Sequence, residues 1–142
     1  MIKQLSIFAS NEPGQIVKVT DALSAQDIDI RAMSIADTQE FGILRLIVSD
    51  SEKGKAALKS KNCVVSITEV LGVKLPDRPG AATKSLKLLA DNGYNVEYMY
   101  AFLTSSKEFA YVVLRVQDIA EAEKLLAENG VDILTQEDVD RL

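Results

Sequence analysis

Histidine is absent from this chain, and cysteine occurs once, as Cys63. The first absence removes the commonest general base and the commonest metal ligand. Carboxylates remain for acid–base work, but no set of Cys, Asp and Glu has metal-ligand spacing, so neither a metal nor a cofactor is expected. A lone cysteine forms no internal disulfide, and Cys63, beside Val64 and Val65, reads as a small buried apolar residue. No apolar run reaches the eighteen or so residues that a membrane span needs. The opening Met1-Ile2-Lys3-Gln4 already enters a strand and lacks a signal-peptide layout, so a cytoplasmic location is expected. Positive charge is also short: 16 Lys and Arg stand against 21 Asp and Glu, a formal charge of −5. An acidic chain repels phosphate backbones, which disfavours nucleic acid as a partner. Lys53, Lys55, Lys59 and Lys61 read as a solvated helix face.

What the chain does have is an internal repeat. Asn11-Glu12-Pro13-Gly14 follows the apolar stretch Leu5-Ser6-Ile7-Phe8-Ala9, and Asp77-Arg78-Pro79-Gly80 follows Leu71-Gly72-Val73-Lys74-Leu75. The offset of 66 also relates Asp29-Ile30 to Asn95-Val96. It becomes 68 at Glu40-Phe41 and Glu108-Phe109, so the second copy carries two extra residues in one loop. A period near seventy is too long for a solenoid unit and suits a small domain. Two modules are therefore expected, residues 1–67 and 68–142. Domains this small bury modest cores, so pairing between copies or between chains is expected.

Each copy reads strand, helix, strand, strand, helix, strand. Leu5, Ile7 and Ala9, like Leu71, Val73 and Leu75, alternate with period two and mark a half-buried strand. Pro-Gly breaks that strand, with the proline placed in the first turn of a helix. Ile16, Val19 and Leu23, or Ala82, Leu86 and Leu89, then recur at helical spacing, and Asn92-Gly93 is a good helix stop. Residues 28–35 and 94–103 look extended, and polar turns over residues 37–40 and 104–108 follow them. Residues 41–48 and 109–116 are rich in β-branched and aromatic side chains and read as central strands. Asp50 and Asp118 read as N-caps of the second helices, and residues 64–67 and 131–134 close each copy as short strands. The fold class is α+β: two tandem ferredoxin-like βαββαβ modules, each an antiparallel four-stranded sheet with both helices on one face. No Gly/Ser-rich linker separates them, so the last strand of one feeds the first of the next.

The candidate site is the turn after the first strand. The first N–H groups of a helix lack helical partners, and with the helix dipole they favour an anion such as a carboxylate. Gly14 and Gly80 carry no Cβ, so a ligand approaches the backbone closely. Asn11 offers an oxygen to an ammonium group, and Asp77 a full negative charge. A zwitterion needs both features. The alternative is that Asn-x-Pro-Gly only turns the chain and starts a helix.

A strand, then Asn/Asp-x-Pro-Gly, an amphipathic helix, and Asp29-Ile30 or Asn95-Val96 opening the second strand together resemble the ACT domain, over the whole chain as two tandem copies. That resemblance implies a regulatory module that often binds amino acids, with ligands held where two such domains pair edge to edge. Carried over, Asn11, Gly14, Gln15 and Ile16 would face Asn95 if the two copies pair with each other. Asp77, Gly80, Ala81 and Ala82 would then face Asp29. If like copies pair across chains, Asn11 would face Asp29. The copies differ, with Arg78 in place of Glu12 and an aromatic second strand bearing Tyr94, Tyr98, Tyr100 and Phe102. Met33 and Met99 occupy matching positions and read as core or sheet-face packing.

The leading expectation is a small-molecule-binding regulatory protein. It is not an enzyme and would act on a separate partner enzyme of amino-acid metabolism. A homodimer of four modules is expected, because sheet edges and the out-of-phase Phe8 and Val70 need cover. The alternatives are a structural, oligomerising ACT module without ligand, or a small enzyme on the same fold. The enzyme reading lacks a convergent set of titratable residues. An RNA-binding module shares βαββαβ but wants basic and aromatic residues on its third strand, where Phe41-Gly42-Ile43-Leu44 and Phe109-Ala110-Tyr111-Val112 stand.

Overall fold

The computed structural model describes residues 1–37, 41–104 and 106–142. The turn read over residues 37–40 falls mostly outside the described residues, as does Ser105 of its counterpart. The chain divides into two compact units. One is Lys3–Thr68; the other is Glu69–Leu142 together with Met1–Ile2. Met1 and Ile2 group with the second unit because Gly72 leaves room there: a Cβ on Gly72 would lie 3.0 Å from Ile2 Cδ1. The Met1 ammonium also pairs with Glu123.

The first unit contains β1 (Ile2–Ser10), α1 (Gln15–Ser24), β2 (Ile30–Asp37), β3 (Phe41–Val48), α2 (Ser51–Ser60) and the start of β4 (Val64–Pro76), with strand order β2-β3-β1-β4. The second takes the rest of β4, α3 (Ala81–Asp91), β5 (Val96–Ala101), β6 (Phe109–Val116), α4 (Ile119–Glu128) and β7 (Asp132–Leu134), in the order β7-β4-β6-β5. Strand β3 pairs antiparallel with β1 and β2, and β6 with β4 and β5. Each unit is the ferredoxin-like α+β module, and β4 runs unbroken through the end of one repeat and the start of the next.

The period-two rows explain the cores. Leu5 and Ile7 of β1 join Leu44, Leu46 and Val48 of β3 on the sheet face where α1 brings Val19 and Leu23 and α2 brings Leu58. Leu71, Val73 and Leu75 join Val112, Leu114, Val116, Leu89, Ala122 and Leu126 in the same way. Helix α2 approaches closely at Gly54, where a Cβ would meet Leu5 Cδ1 at 3.1 Å and Leu23 Cδ2 at 3.4 Å. Cys63 is half-buried against the first core.

Several sequence expectations change. Pro13 and Pro79 lie before the helices, whose N-caps are Gly14 and Gly80 in the left-handed conformation, with φ of 88° and 84°. Asp50 caps α2, its carboxylate accepting from the Lys53 N–H at 3.0 Å. Asp118 takes the N-cap position of α4 without a side-chain cap. Phe8 is 58% exposed as expected of its phase, but Val70 is fully buried. Its row includes Gly72, against which Ile2 and Leu134 pack. A register shift follows Ile30 in β2 and Val96 in β5, at equivalent places in the two copies. Beyond it Met33 and Met99 stand on outer strands, 39% exposed each, and neither is core.

The second unit has an element that the repeat does not contain, α5 (Gln136–Asp140). Its capping box is complete: the Thr135 N–H and hydroxyl both donate to Asp138 Oδ2 at 2.8 Å, and the Asp138 N–H donates to Thr135 Oγ1 at 3.1 Å. Val139 is buried, and Arg141 pairs with Glu137.

Two predictions follow from the packing. Leu58→Ala and Leu126→Ala occupy equivalent positions in the two cores, and each should cost about 2–5 kcal/mol in urea unfolding. The hydrogen bonds from Thr135 hold the Asp138 carboxyl below its ordinary value of 3.8, with smaller help from Arg141 and Lys74 against a small desolvation penalty. The unfolded chain therefore binds this proton more tightly than the folded one. The stabilisation by ionised Asp138 is complete above that ordinary value and is lost as pH falls below it, through the lowered folded value. The urea midpoint of wild type should exceed that of Asp138→Asn by a constant gap at neutral pH, and the gap should shrink below about pH 4. A gap unchanged down to strongly acidic pH contradicts this role.

Candidate functional site

The turn between the first strand and first helix of each repeat is built by a backbone constraint. The Glu12 N–H donates to Ser10 O at 2.8 Å and the Gln15 N–H to Glu12 O at 3.4 Å. Arg78 to Pro76 O at 2.9 Å and Ala81 to Arg78 O at 3.2 Å repeat the pattern. Left-handed Gly14 and Gly80 then start the helices, and nothing lies within 4 Å of a Cβ built on either. The turn mouths are open.

This geometry sorts the candidate residues. The N–H groups of Gln15 and Ala81 are engaged within the turn, while those of Gly14, Ile16, Gly80 and Ala82 have no backbone partner among the described residues. The side chains of Asn11 and Asp77 are exposed and make no hydrogen bond among the described residues; neither caps its helix. Asp29 is engaged locally, its carboxylate 2.8 Å from Arg31 Nη1 and its N–H donating to Ser49 Oγ at 3.0 Å. Asn95 lies in a depression of about 330 Å³ with Glu97 and Asp118, and Asp29 in one of about 390 Å³ with Thr20 and Asp27.

Within a unit, the turn and the opening of the second strand lie at opposite ends of the sheet. Ser10 is paired with Phe41 at one end of β3, and Ile30 with Val48 at the other. Seven strand steps separate those ends, roughly 20 Å. A single module therefore does not bring Asn11 to Asp29, or Asp77 to Asn95.

The second turn opens on a cavity of about 500 Å³ lined by Gly80, Ala81, Lys74, Arg78, Lys84 and Ser85, among others. Lys74 Nζ stands 3.9 Å over the Phe109 ring. Lys74, Lys84 and Ser85 were not among the sequence candidates. In the first copy Phe8, Lys18 and Val19 hold the equivalent places, so comparing the copies marks Lys74 and Ser85 as different but does not gather the basic residues into one wall. No group of three or more His, Cys, Asp or Glu able to hold a metal ion occurs among the described residues. None of their helices is long and apolar enough to cross a membrane.

The sequence pattern of an ACT domain pair matches residues 1–142. The chain belongs to the ACT domain family. A crystal structure of a protein from Bacteroides thetaiotaomicron is 40% identical and superposes with a TM-score of 0.92, covering 99% of this chain and 96% of that one. The regulatory subunit of aspartate kinase from Thermus thermophilus, in its ligand-free form, shares the fold at 15% identity and a TM-score of 0.65, covering 89% of this chain and 90% of that one. Aspartate kinase from Synechocystis does so at 20% identity and a TM-score of 0.58, covering 89% of this chain and 25% of that one. None of the curated proteins compared matches the chain.

In this ACT domain pair the turn glycines can be tested apart from any ligand. Open space surrounds the missing Cβ, so Gly80→Ala meets no clash and incurs only the left-handed backbone penalty. Its stability should fall by about 1–2 kcal/mol in urea unfolding. A loss well outside that range, in either direction, means the turn is held differently.

Proposed function

We propose that this ACT domain pair is a regulatory protein that binds a small molecule, an amino acid, and passes its occupancy to a separate enzyme of amino-acid metabolism. It catalyses no reaction, uses no cofactor, and works as a cytoplasmic homodimer. The observation that carries this reading is the idle polar side chain of each turn. Had Asn11 and Asp77 been structural caps, their oxygens would accept N–H bonds from α1 and α3; instead they stand exposed beside helix N–H groups that also lack partners. Ammonium and carboxylate of an amino acid satisfy both sets.

Two further observations support it. Turn and strand-opening residues lie at opposite ends of each sheet, so a site that uses both needs a second module. Outer strands β2 and β5 carry exposed Met33, Ile35 and Met99, surface suited to such pairing. A module that pairs without ligand is the second reading, favoured at one site by the Asp29–Arg31 ion pair, which already engages that carboxylate.

A thermal-shift screen of the full chain against the twenty amino acids tests the proposal. Ligand at about a hundred times its Kd adds roughly 2.7 kcal/mol, a Tm rise of about 5–10 °C for a chain of this size. For the ligand found, Asn11→Ala should weaken binding roughly tenfold to a hundredfold, the equivalent of losing one charge-assisted hydrogen bond. Because Asn11 caps nothing, urea stability without ligand should change by less than about 0.5 kcal/mol. Asp77→Asn should weaken the second site while preserving the unliganded fold. No shift with any amino acid, or wild-type affinity in both variants, would leave the pairing module as the function.

A further inference from the structure

The two turns share a backbone but not a charge. Around the second, Lys74, Arg78 and Lys84 line one cavity of about 500 Å³, with Asp132 as the single carboxylate in its wall. Arg78 and Lys84 form no ion pair among the described residues, while Lys74 stands over the Phe109 ring and also acts on the Asp138 carboxylate. At the equivalent positions the first copy has Phe8, Glu12 and Lys18. Three cations gathered in one concave wall raise the local potential for anions far more than scattered surface lysines do.

A second feature of the cavity is independent of its charge. Ser85 lines it, is only 3% exposed, and its hydroxyl makes no hydrogen bond among the described residues. A buried hydroxyl normally finds a partner, and a helical serine has the carbonyl one turn back within reach. Here the hydroxyl is left to the cavity. The first copy has Val19 in its place, a core residue, so the repeat does not require a hydroxyl at this point.

We propose that the cavity at the second turn receives a small ligand carrying two negative charges, its second acidic group held by Lys74, Arg78 and Lys84 and hydrogen-bonded by Ser85. This rests on the amino-acid reading and narrows it. The acidic side chain goes to the basic wall and the α-carboxylate to the Gly80 N–H at its rim, while the ammonium goes to Asp77, which stands in the same turn beside Arg78 but outside the cavity lining. The ligand class is therefore an acidic amino acid. Without the ammonium requirement, the same chemistry describes a dicarboxylate or a phosphate.

Calorimetric titration of the full chain with L-glutamate and L-aspartate, against L-glutamine and L-asparagine, separates these possibilities, with succinate and inorganic phosphate as dianions lacking an ammonium group. The acidic member of each pair should bind roughly tenfold tighter than its amide or more, as expected of a charge-assisted contact. That preference should shrink as salt is raised. The double variant Arg78→Gln with Lys84→Gln should abolish the preference for acid over amide, and its urea midpoint establishes that it is folded. Ser85→Ala should weaken the acidic ligand severalfold. Acid and amide binding equally, or a preference that survives the double variant, overturns the acidic-ligand assignment and leaves amino-acid binding in place. Succinate or phosphate binding with no amino acid bound upholds the anion cavity and overturns the amino-acid reading. No heat with any of the six, in a folded chain, overturns the acidic-ligand assignment, and the screen of all twenty amino acids then decides the amino-acid reading separately.

Discussion

Each repeat must turn its chain from a buried strand into a helix within about four residues, and a single left-handed glycine makes that reversal. Gly14 and Gly80 adopt φ near 85°, which L side chains rarely hold. Placing glycine at the N-cap has a chemical consequence. A polar N-cap side chain would satisfy one of the orphan N–H groups of the helix, and glycine has none to offer. The polar residue of the motif is displaced three positions upstream, to Asn11 or Asp77, and does not cap the helix it precedes. Helix donors and side-chain acceptor are thus both left unsatisfied at the same open turn.

The constraint holds only because the turn is anchored on both sides. Upstream, Ile7 and Val73 are buried four residues before Asn11 and Asp77; downstream, Leu23 and Leu89 tie the helices to the same cores. Each such side chain contributes about 1.5–3 kcal/mol by leaving water. That fixes the direction of the helix N-terminus and therefore of its donors. A ligand bound there meets preorganised groups and loses little to ordering them. The exposed glycine is strained in no other sense, since open space surrounds it.

Most of this architecture was legible in the chain because period two and period 3.6 are written by burial, and the repeat reads each element twice. Leu5, Ile7, Leu71 and Val73 all stand in the cores that their alternation announced. What was not legible depended on non-local packing. Val70 has the phase of an outer-face residue yet is buried, in a row where Ile2 and Leu134 lie against Gly72. Helix α5 was missed because the repeat has no counterpart. Where the first copy continues from Ile67 as strand, the second turns at Thr135, and a Thr-x-x-Asp box gave the only local sign. Pro13 and Pro79 were placed one step too far into their helices, because the sequence did not reveal that glycine takes the cap. For the site, the residue types of the turn could be read directly. The basic wall could not, since Lys74, Arg78 and Lys84 come together only when β4 and α3 are folded against each other.

The divergence of the copies is concentrated where the fold is indifferent to it. Most core positions match in kind, Leu58 with Leu126, Leu46 with Leu114 and Leu23 with Leu89, with Val19 against Ser85 the exception. At the end of the sheet beside the turn, Phe8 and Phe41 are more than half exposed. Their equivalents are Lys74 and Phe109, joined by a cation–π contact, and Tyr111 beside them shares a depression with Asp138 and Arg141 of α5. Exchanging Phe for Lys on that face alters little buried apolar area, so stability does not select against it, yet it changes the charge presented to the turn. Glu12 against Arg78 changes it again in the same direction. Those two exchanges put two basic side chains at the second turn where the first has a phenylalanine and a glutamate. The same glycine and the same idle donors thus stand beside differently charged side chains in the two copies, while the cores that hold them change little, chiefly at Val19 against Ser85.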